Sequence, residues 1–138
     1  MEDLVRFGVS INQLLLEKFD RLIKEKGYPS RSEALRDLIR DHLVEEEWES
    51  DDSEVVGTVT LIYDHHSNNL LQLLNDIQHD YPPLIVSTLH VHLDHHNCLE
   101  VLVLKGSASA SRQIASRLIS MKGIKHGKLT ITSTGKHL

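Results

Sequence analysis

Residues 4–11 alternate in character, and nothing close by in the sequence offers that segment a partner. Val5, Phe7, Val9 and Ile11 are apolar, while Arg6, Gly8 and Ser10 are small or polar. A period of two predicts a strand with one buried face. Asn12 stands where it can cap a helix, and Leu15, Phe19, Leu22 and Ile23 follow at helical spacing up to Gly27, which suits a C-terminal cap. Tyr28-Pro29 breaks the pattern. Ser30-Arg31-Ser32-Glu33 has the form of a capping box, and Leu35, Leu38, Ile39 and Leu43 lie on one face of a second helix that runs toward Trp48. The segment from residue 4 to about 46 therefore reads strand, helix, helix.

A lone strand backed by two helices cannot close its own ladder, and so short a module buries too little surface to stand alone. The nearest available partner is the same strand from a second chain. Two such strands make an antiparallel ribbon with one face on the helices. The other face presents Arg6, Gly8 and Ser10 with their symmetry mates. A two-stranded ribbon fits the DNA major groove. The free N–H groups opening the second helix, with Arg31 and Ser32, are placed to hold a phosphate. The competing reading is an ordinary half-exposed strand; the complete strand-helix-helix pattern favours DNA.

Bulk charge argues the other way, since the chain carries a net charge of −5. The excess is not in the DNA-reading segment: residues 1–44 hold eight Lys/Arg and eight Asp/Glu, leaving seven against twelve in the remainder. Much of the surplus gathers at Glu45, Glu46, Glu47, Glu49, Asp51, Asp52 and Glu54, with only Trp48 to pack. That run reads as a frayed helix end and a linker. It divides the chain into a DNA-binding segment 1–48, an acidic linker 49–54 and a second domain 55–138.

The second domain reads strand (55–63), helix (68–80), strand (84–93), strand (98–105), helix (107–121), strand (128–132). Val59 with Leu61, and Val101 with Val103, share strand faces. Leu102 and Leu104 make the later strand apolar on both faces. Leu70, Leu73, Leu74 and Ile77 give one helix its spacing; Ile114, Ala115, Leu118 and Ile119 give the other. The order β-α-β-β-α-β is the ferredoxin-like arrangement, so the fold class is α+β.

Ten histidines in 138 residues point to metal or pH chemistry. The sharpest signal is His90-Val91-His92 followed by Cys98, the one cysteine. Residues two apart on a strand project to one face. If the intervening loop is residues 93–97, Cys98 sits opposite His92 on that face; a loop one residue shorter sends it to the other. Two imidazoles and a thiolate suit Ni, Cu, Zn or Co. His79, near the end of the preceding helix, is a candidate fourth ligand, and from another subunit it would bridge two chains. Glu100 shares the face of Cys98 and reads equally as an acceptor orienting an imidazole or as a surface carboxylate. His42, His65, His66, His126 and His137 read as surface residues. The plain alternative leaves His90 and His92 on a solvated sheet face with Cys98 in the core.

A single cysteine allows no intrachain disulfide. No stretch approaches the roughly 20 apolar residues of a membrane span, and the acidic start Met1-Glu2-Asp3 lacks an apolar leader, so a cytoplasmic protein without a membrane partner is expected.

Over nearly its whole length the chain resembles the NikR family of nickel-responsive repressors. The resemblance is carried by residues 6–10 with the S-R-S-E-A-L-R-D run at 30–37, by Gln78-His79-Asp80-Tyr81, and by His90-Val91-His92-Leu93-Asp94-His95 through Cys98-Leu99-Glu100. It implies a ribbon-helix-helix domain followed by an ACT-type domain, assembled as a homotetramer, a dimer of dimers, on operator DNA. It implies that His90, His92 and Cys98 bind Ni(II), with His79 of a neighbouring subunit completing a square plane. It implies base reading by positions 6, 8 and 10, and a potassium ion, K(I), held between the domains at Glu33 and Asp37. Glycine at position 8 departs from the small hydroxyl residue usual there and points to a different operator. The expected activity is nickel-dependent operator binding that represses nickel uptake.

Three other readings stand beside this one: a repressor of the same architecture sensing another transition metal or a small ligand, a metallo-hydrolase with water in the fourth position, and an antitoxin-like DNA binder. The hydrolase needs a positioned general base that the sequence does not clearly supply and leaves residues 1–46 unexplained. The antitoxin reading needs a disordered second half.

Overall fold

A computed structural model of the chain describes residues 3–66, 70–80 and 84–138. The described residues fall into two compact units that divide between Arg40 and Asp41.

In the first unit, helix α1 (Gln13–Glu25) begins at Asn12, whose side chain accepts from the Leu15 amide at 2.8 Å. It ends at Gly27, whose φ of 80° is left-handed. Tyr28 N donates to Ile23 O and Gly27 N to Lys24 O, so the last carbonyls are satisfied by a Schellman turn. Helix α2 (Arg31–Glu49) opens under Ser30, whose Oγ accepts from the Glu33 amide at 3.2 Å. Only that half of the expected capping box forms, because the Glu33 carboxylate turns to Arg36 at 2.6 Å.

Residues 4–11 do not form a strand within this chain. A strand exists only by pairing, and no described segment of the chain pairs with this one. Its apolar face is open: Val5 is 82 % exposed and Phe7 69 %. With Ser32, Leu35, Arg36 and Ile39 of α2, residues 4–7 and Val9 line a groove.

The second unit is the expected βαββαβ arrangement. It comprises β1 (Glu54–Asp64), α3 (Leu70–Asp80), β2 (Ile85–His92), β3 (Asn97–Ser107), α4 (Ala108–Ile119) and β4 (Ile124–Thr132). Residues 68–69, expected to begin α3, lie outside the described residues, as does Tyr81. The four strands run antiparallel in the order β2-β3-β1-β4, the ferredoxin-like order. Burial alternates along β1 and β3. Val59, Leu61, Tyr63, Cys98, Leu102 and Leu104 face one core with Ile77 of α3 and Ile114, Ala115 and Leu118 of α4.

The acidic run departs from expectation. It is helical through Glu49 rather than frayed, and its last turns pack with the second unit. The reason is Trp48, which is 4 % exposed and clusters with Val55 and Ala108. One anchored aromatic outweighs a run of carboxylates that needs only water.

Leu102 is fully enclosed. Leu102→Ala is expected to lower the unfolding free energy by about 2–5 kcal/mol, read as a shift in urea midpoint at constant slope.

Candidate metal centre and nucleic-acid surface

The β2–β3 hairpin sets the site. Its register pairs His92 with Cys98 and His90 with Glu100, as the longer-loop reading required. The turn is built by Asp94, whose Oδ1 accepts from the amides of His96 (2.8 Å) and Asn97 (2.7 Å). The Asn97 amide group adds a bond to Asp94 Oδ2 at 3.0 Å.

His92 Nδ1 lies 3.4 Å from Cys98 Sγ. Donor atoms bound to one ion at about 2.0 and 2.3 Å lie about 3.0–3.5 Å apart, so this pair already has the separation of two ligands. The His90 and His92 ring centroids are 4.9 Å apart. His90 Nδ1 lies 2.7 Å from Glu100 Oε2, and the Tyr63 hydroxyl donates to the same oxygen at 3.2 Å. A carboxylate only accepts, so His90 carries its proton on Nδ1 and keeps Nε2 as a free lone pair. Of the two readings of Glu100, orienting acceptor and surface carboxylate, the buried contact with His90 favours the first: Glu100 is 6 % exposed.

Cys98 is fully buried, and burial, with Glu100, Asp64 and Asp94 nearby, pushes its thiol pKa above the ordinary value. Burial, followed by the Glu100 charge, does the same to Tyr63. Both shifts favour the protonated forms near neutral pH.

His79 stands in the last turn of α3, exposed. Among the described residues it is not one of the groups whose ligand atoms converge. His65 is: a nitrogen of its ring, one of the His92 ring and Cys98 Sγ all lie within 4.8 Å of one another, and a second such group is Asp64, His65 and His66. His65 Nδ1 is buried without a hydrogen-bond partner, and its ring stands edge-on to His92 at 5.6 Å. The sequence reads His65 as a surface residue; the structure leaves it partly buried, with its ring beside that of His92. Its position follows from β1 pairing with β3, which sets Asp64 opposite Asn97. The signal available in the sequence was the His65-His66 pair at the end of an apolar strand.

On the first unit, Arg6, Gly8 and Ser10 are exposed. A Cβ placed on Gly8 would meet nothing within 4 Å, so no steric demand of this chain imposes glycine there. Arg31, expected to help hold a phosphate, grips Asp20 of α1 through two bonds of 2.8 Å. A bidentate carboxylate within reach competes directly for that guanidinium. Asp37 accepts from the Tyr28 hydroxyl at 2.6 Å and lies 3.5 Å from Arg40, while Glu33 holds Arg36.

Two families match the chain: a ribbon-helix-helix protein family of the copG type over residues 5–46, and the NikR C terminal nickel binding domain over residues 56–132. The chain is 59 % identical over 136 residues to a protein of Pyrococcus abyssi, covering 99 % of each. It is 60 % identical over 138 residues to one of Solibacter usitatus, covering 100 % of this chain and 99 % of that one. A protein of Nitratidesulfovibrio vulgaris strain Miyazaki F is 58 % identical over 134 residues, covering 97 % of this chain and 96 % of its own. All three carry names that describe nickel-responsive regulators.

The bonds to Asp94 hold its carboxyl well down, to a pKa of about 2. A lowered folded value means that the turn gains from Asp94 fully above the ordinary carboxylate value of about 4 and loses that gain as pH falls through about 2. The amide resonances of His96 and Asn97 are expected to titrate near pH 2; titration near 4 would remove the carboxylate from the turn.

Proposed function

The chain belongs to the NikR family of nickel-responsive, ribbon-helix-helix DNA-binding regulators, and from that premise we propose that His90, His92 and Cys98 hold Ni(II), with His79 supplied by a second copy. It is a regulator and not an enzyme, which removes the hydrolase reading. The observation that carries the ligand assignment is the approach of His92 Nδ1 to Cys98 Sγ, with His90 beside it and turned by Glu100. Two imidazoles and a thiol that can ionise are a fitting donor set for nickel. Bound there, the ion would supply a fixed positive charge and a bond to each donor; the chain supplies the rest. Tyr63 and Glu100 fix the His90 tautomer, and the hairpin sets the spacing of the three donors. Cys98 gives up its proton on binding.

Two features support assembly as a tetramer built from two dimers. The first unit leaves Leu4, Val5, Phe7 and Val9 open, as a ribbon awaiting its twin would. The helix-free face of the sheet carries exposed Leu89 and Val91 beside half-buried Leu99, Val101 and Val103. In the ribbon, Arg6, Gly8 and Ser10 read bases, and the metal-loaded assembly represses nickel uptake. No helix of the described residues is long and apolar enough to cross a membrane. DNA binding and a reduced cysteine both favour the cytoplasm. Glu33 and Asp37, one helical turn apart, are the proposed potassium ligands; they would release Arg36 and Arg40 to take the ion.

A second reading keeps the architecture and changes the metal. His65 makes a within-chain group with His92 and Cys98, which suits a tetrahedral ion such as Zn(II).

The test is anaerobic titration with Ni(II) and Zn(II), followed by binding to duplexes selected from random DNA by the nickel-loaded chain. Nickel alone is expected to promote DNA binding, and Cys98→Ala and His92→Ala to abolish the response. His79→Ala is expected to lower nickel affinity, with metal-dependent assembly lost in sedimentation. Equal responses to zinc, with loss in His65→Ala and not in His79→Ala, would favour the second reading. Because binding displaces the Cys98 proton, nickel affinity should rise about tenfold per pH unit across neutrality. Gly8→Ser is expected to change base preference in a repeated selection and leave nickel affinity unmoved.

A further inference from the structure

Neither the metal chemistry nor the base-reading surface uses the joint between α2 and the sheet, yet it is among the most closely bonded parts of the second unit. The indole N–H of Trp48 donates to Thr132 O at 2.8 Å. Its ring lies over Gly57, where an added Cβ would stand 2.9 Å from Trp48 Cζ2. The Arg112 guanidinium of α4 donates to the Trp48 carbonyl, one of the helix-end carbonyls that lack an intrahelical partner, and pairs with Asp51 at 2.6 Å. In return, the first amides of α4 are taken by the connecting segment: Ala108 N donates to Ser53 O at 3.0 Å and Ser109 N to Asp51 O at 3.2 Å. An acidic segment that reads as a tether is a clamp.

We propose that Trp48 and Arg112 are positioning residues that deliver the state of the metal-binding unit to α2. The path is continuous. β1 starts beneath Trp48 at Val55 and Gly57, and its far end carries Tyr63, bonded to Glu100 and His90. β3 runs the other way, from Cys98 to Ser107, which caps the helix bearing Arg112. The two strands pair without a break from Glu54 opposite Ser107 to Asp64 opposite Asn97. The donor residues and the clamp thus sit at opposite ends of one stiff pair of strands. From the clamp, α2 leads by its own backbone into the DNA-binding segment. A displacement of the metal-binding unit enters α2 at its last turn, where Trp48 and Arg112 hold it.

The inference takes the family's nickel response as given and predicts a loss of coupling, not of either binding site. The full-length variants Trp48→Phe, which keeps a ring over Gly57 without the indole N–H, and Arg112→Gln would be titrated with Ni(II) and with a duplex selected by the wild-type chain. Nickel affinity without DNA is expected to stay within about twofold of wild type. The gain in DNA affinity on adding nickel should fall by about an order of magnitude, and the gain in nickel affinity on adding DNA by the same factor. Melting of the apo chain by circular dichroism would accompany both. A wild-type gain in both variants would overturn the proposal. So would DNA binding that weakens equally with and without nickel alongside a lowered melting temperature, because that marks Trp48 and Arg112 as packing alone.

Discussion

The pairing of β1 with β3 is the constraint on which the rest of the second unit rests. It joins residues more than thirty positions apart and puts Tyr63 opposite Cys98. Side chains alternate between faces with every residue, so a slip of one position would turn Cys98 and Glu100 away from the helices and Leu99 and Val101 toward them. The core and the cluster of His90, His92 and Cys98 would be lost together. The same face therefore serves two purposes along its length. Leu102 and Leu104 are covered by helices, while Cys98 and Glu100 lie at the end where the edge strand β2 brings His90 and His92 alongside.

The two units differ in how complete they are. The second has a closed core of aliphatic side chains between sheet and helices. The first buries Ile23 and Ala34 and leaves most of its large apolar side chains in solvent. A segment of that kind gains little by folding alone and much by association. The sequence carries the same asymmetry in its charges: the first 44 residues balance, and the surplus of carboxylates belongs to the remainder.

What could be read from the sequence was mostly local. Asn12 and Ser30 announce their helices because a cap acts over three residues. The hairpin offered two registers, set by loop length, and the structure takes the one that pairs His92 with Cys98. The order of elements followed from periodicity. What escaped needed distant partners. His65 depends on the long-range ladder, Arg31 on a carboxylate in the preceding helix, and the acidic run on one tryptophan meeting a glycine in a strand. The last strand begins at Ile124, earlier than expected, because Lys125, His126 and Gly127 interrupt the apolar alternation without interrupting the backbone ladder. Residues 4–11 have the pattern of a strand and no ladder within this chain, since pattern states what a segment is suited to and pairing decides what it becomes.

The burial of Cys98 has a consequence for the waiting sensor. Thiols are alkylated and oxidised as thiolates, at sites that reagents reach. Here the sulfur is enclosed and its proton is held by surrounding carboxylates and apolar walls. With Cys98 as the proposed ligand, the metal-free regulator would hold that sulfur as a thiol, less open to alkylation and oxidation than a thiolate, until an ion displaces the proton.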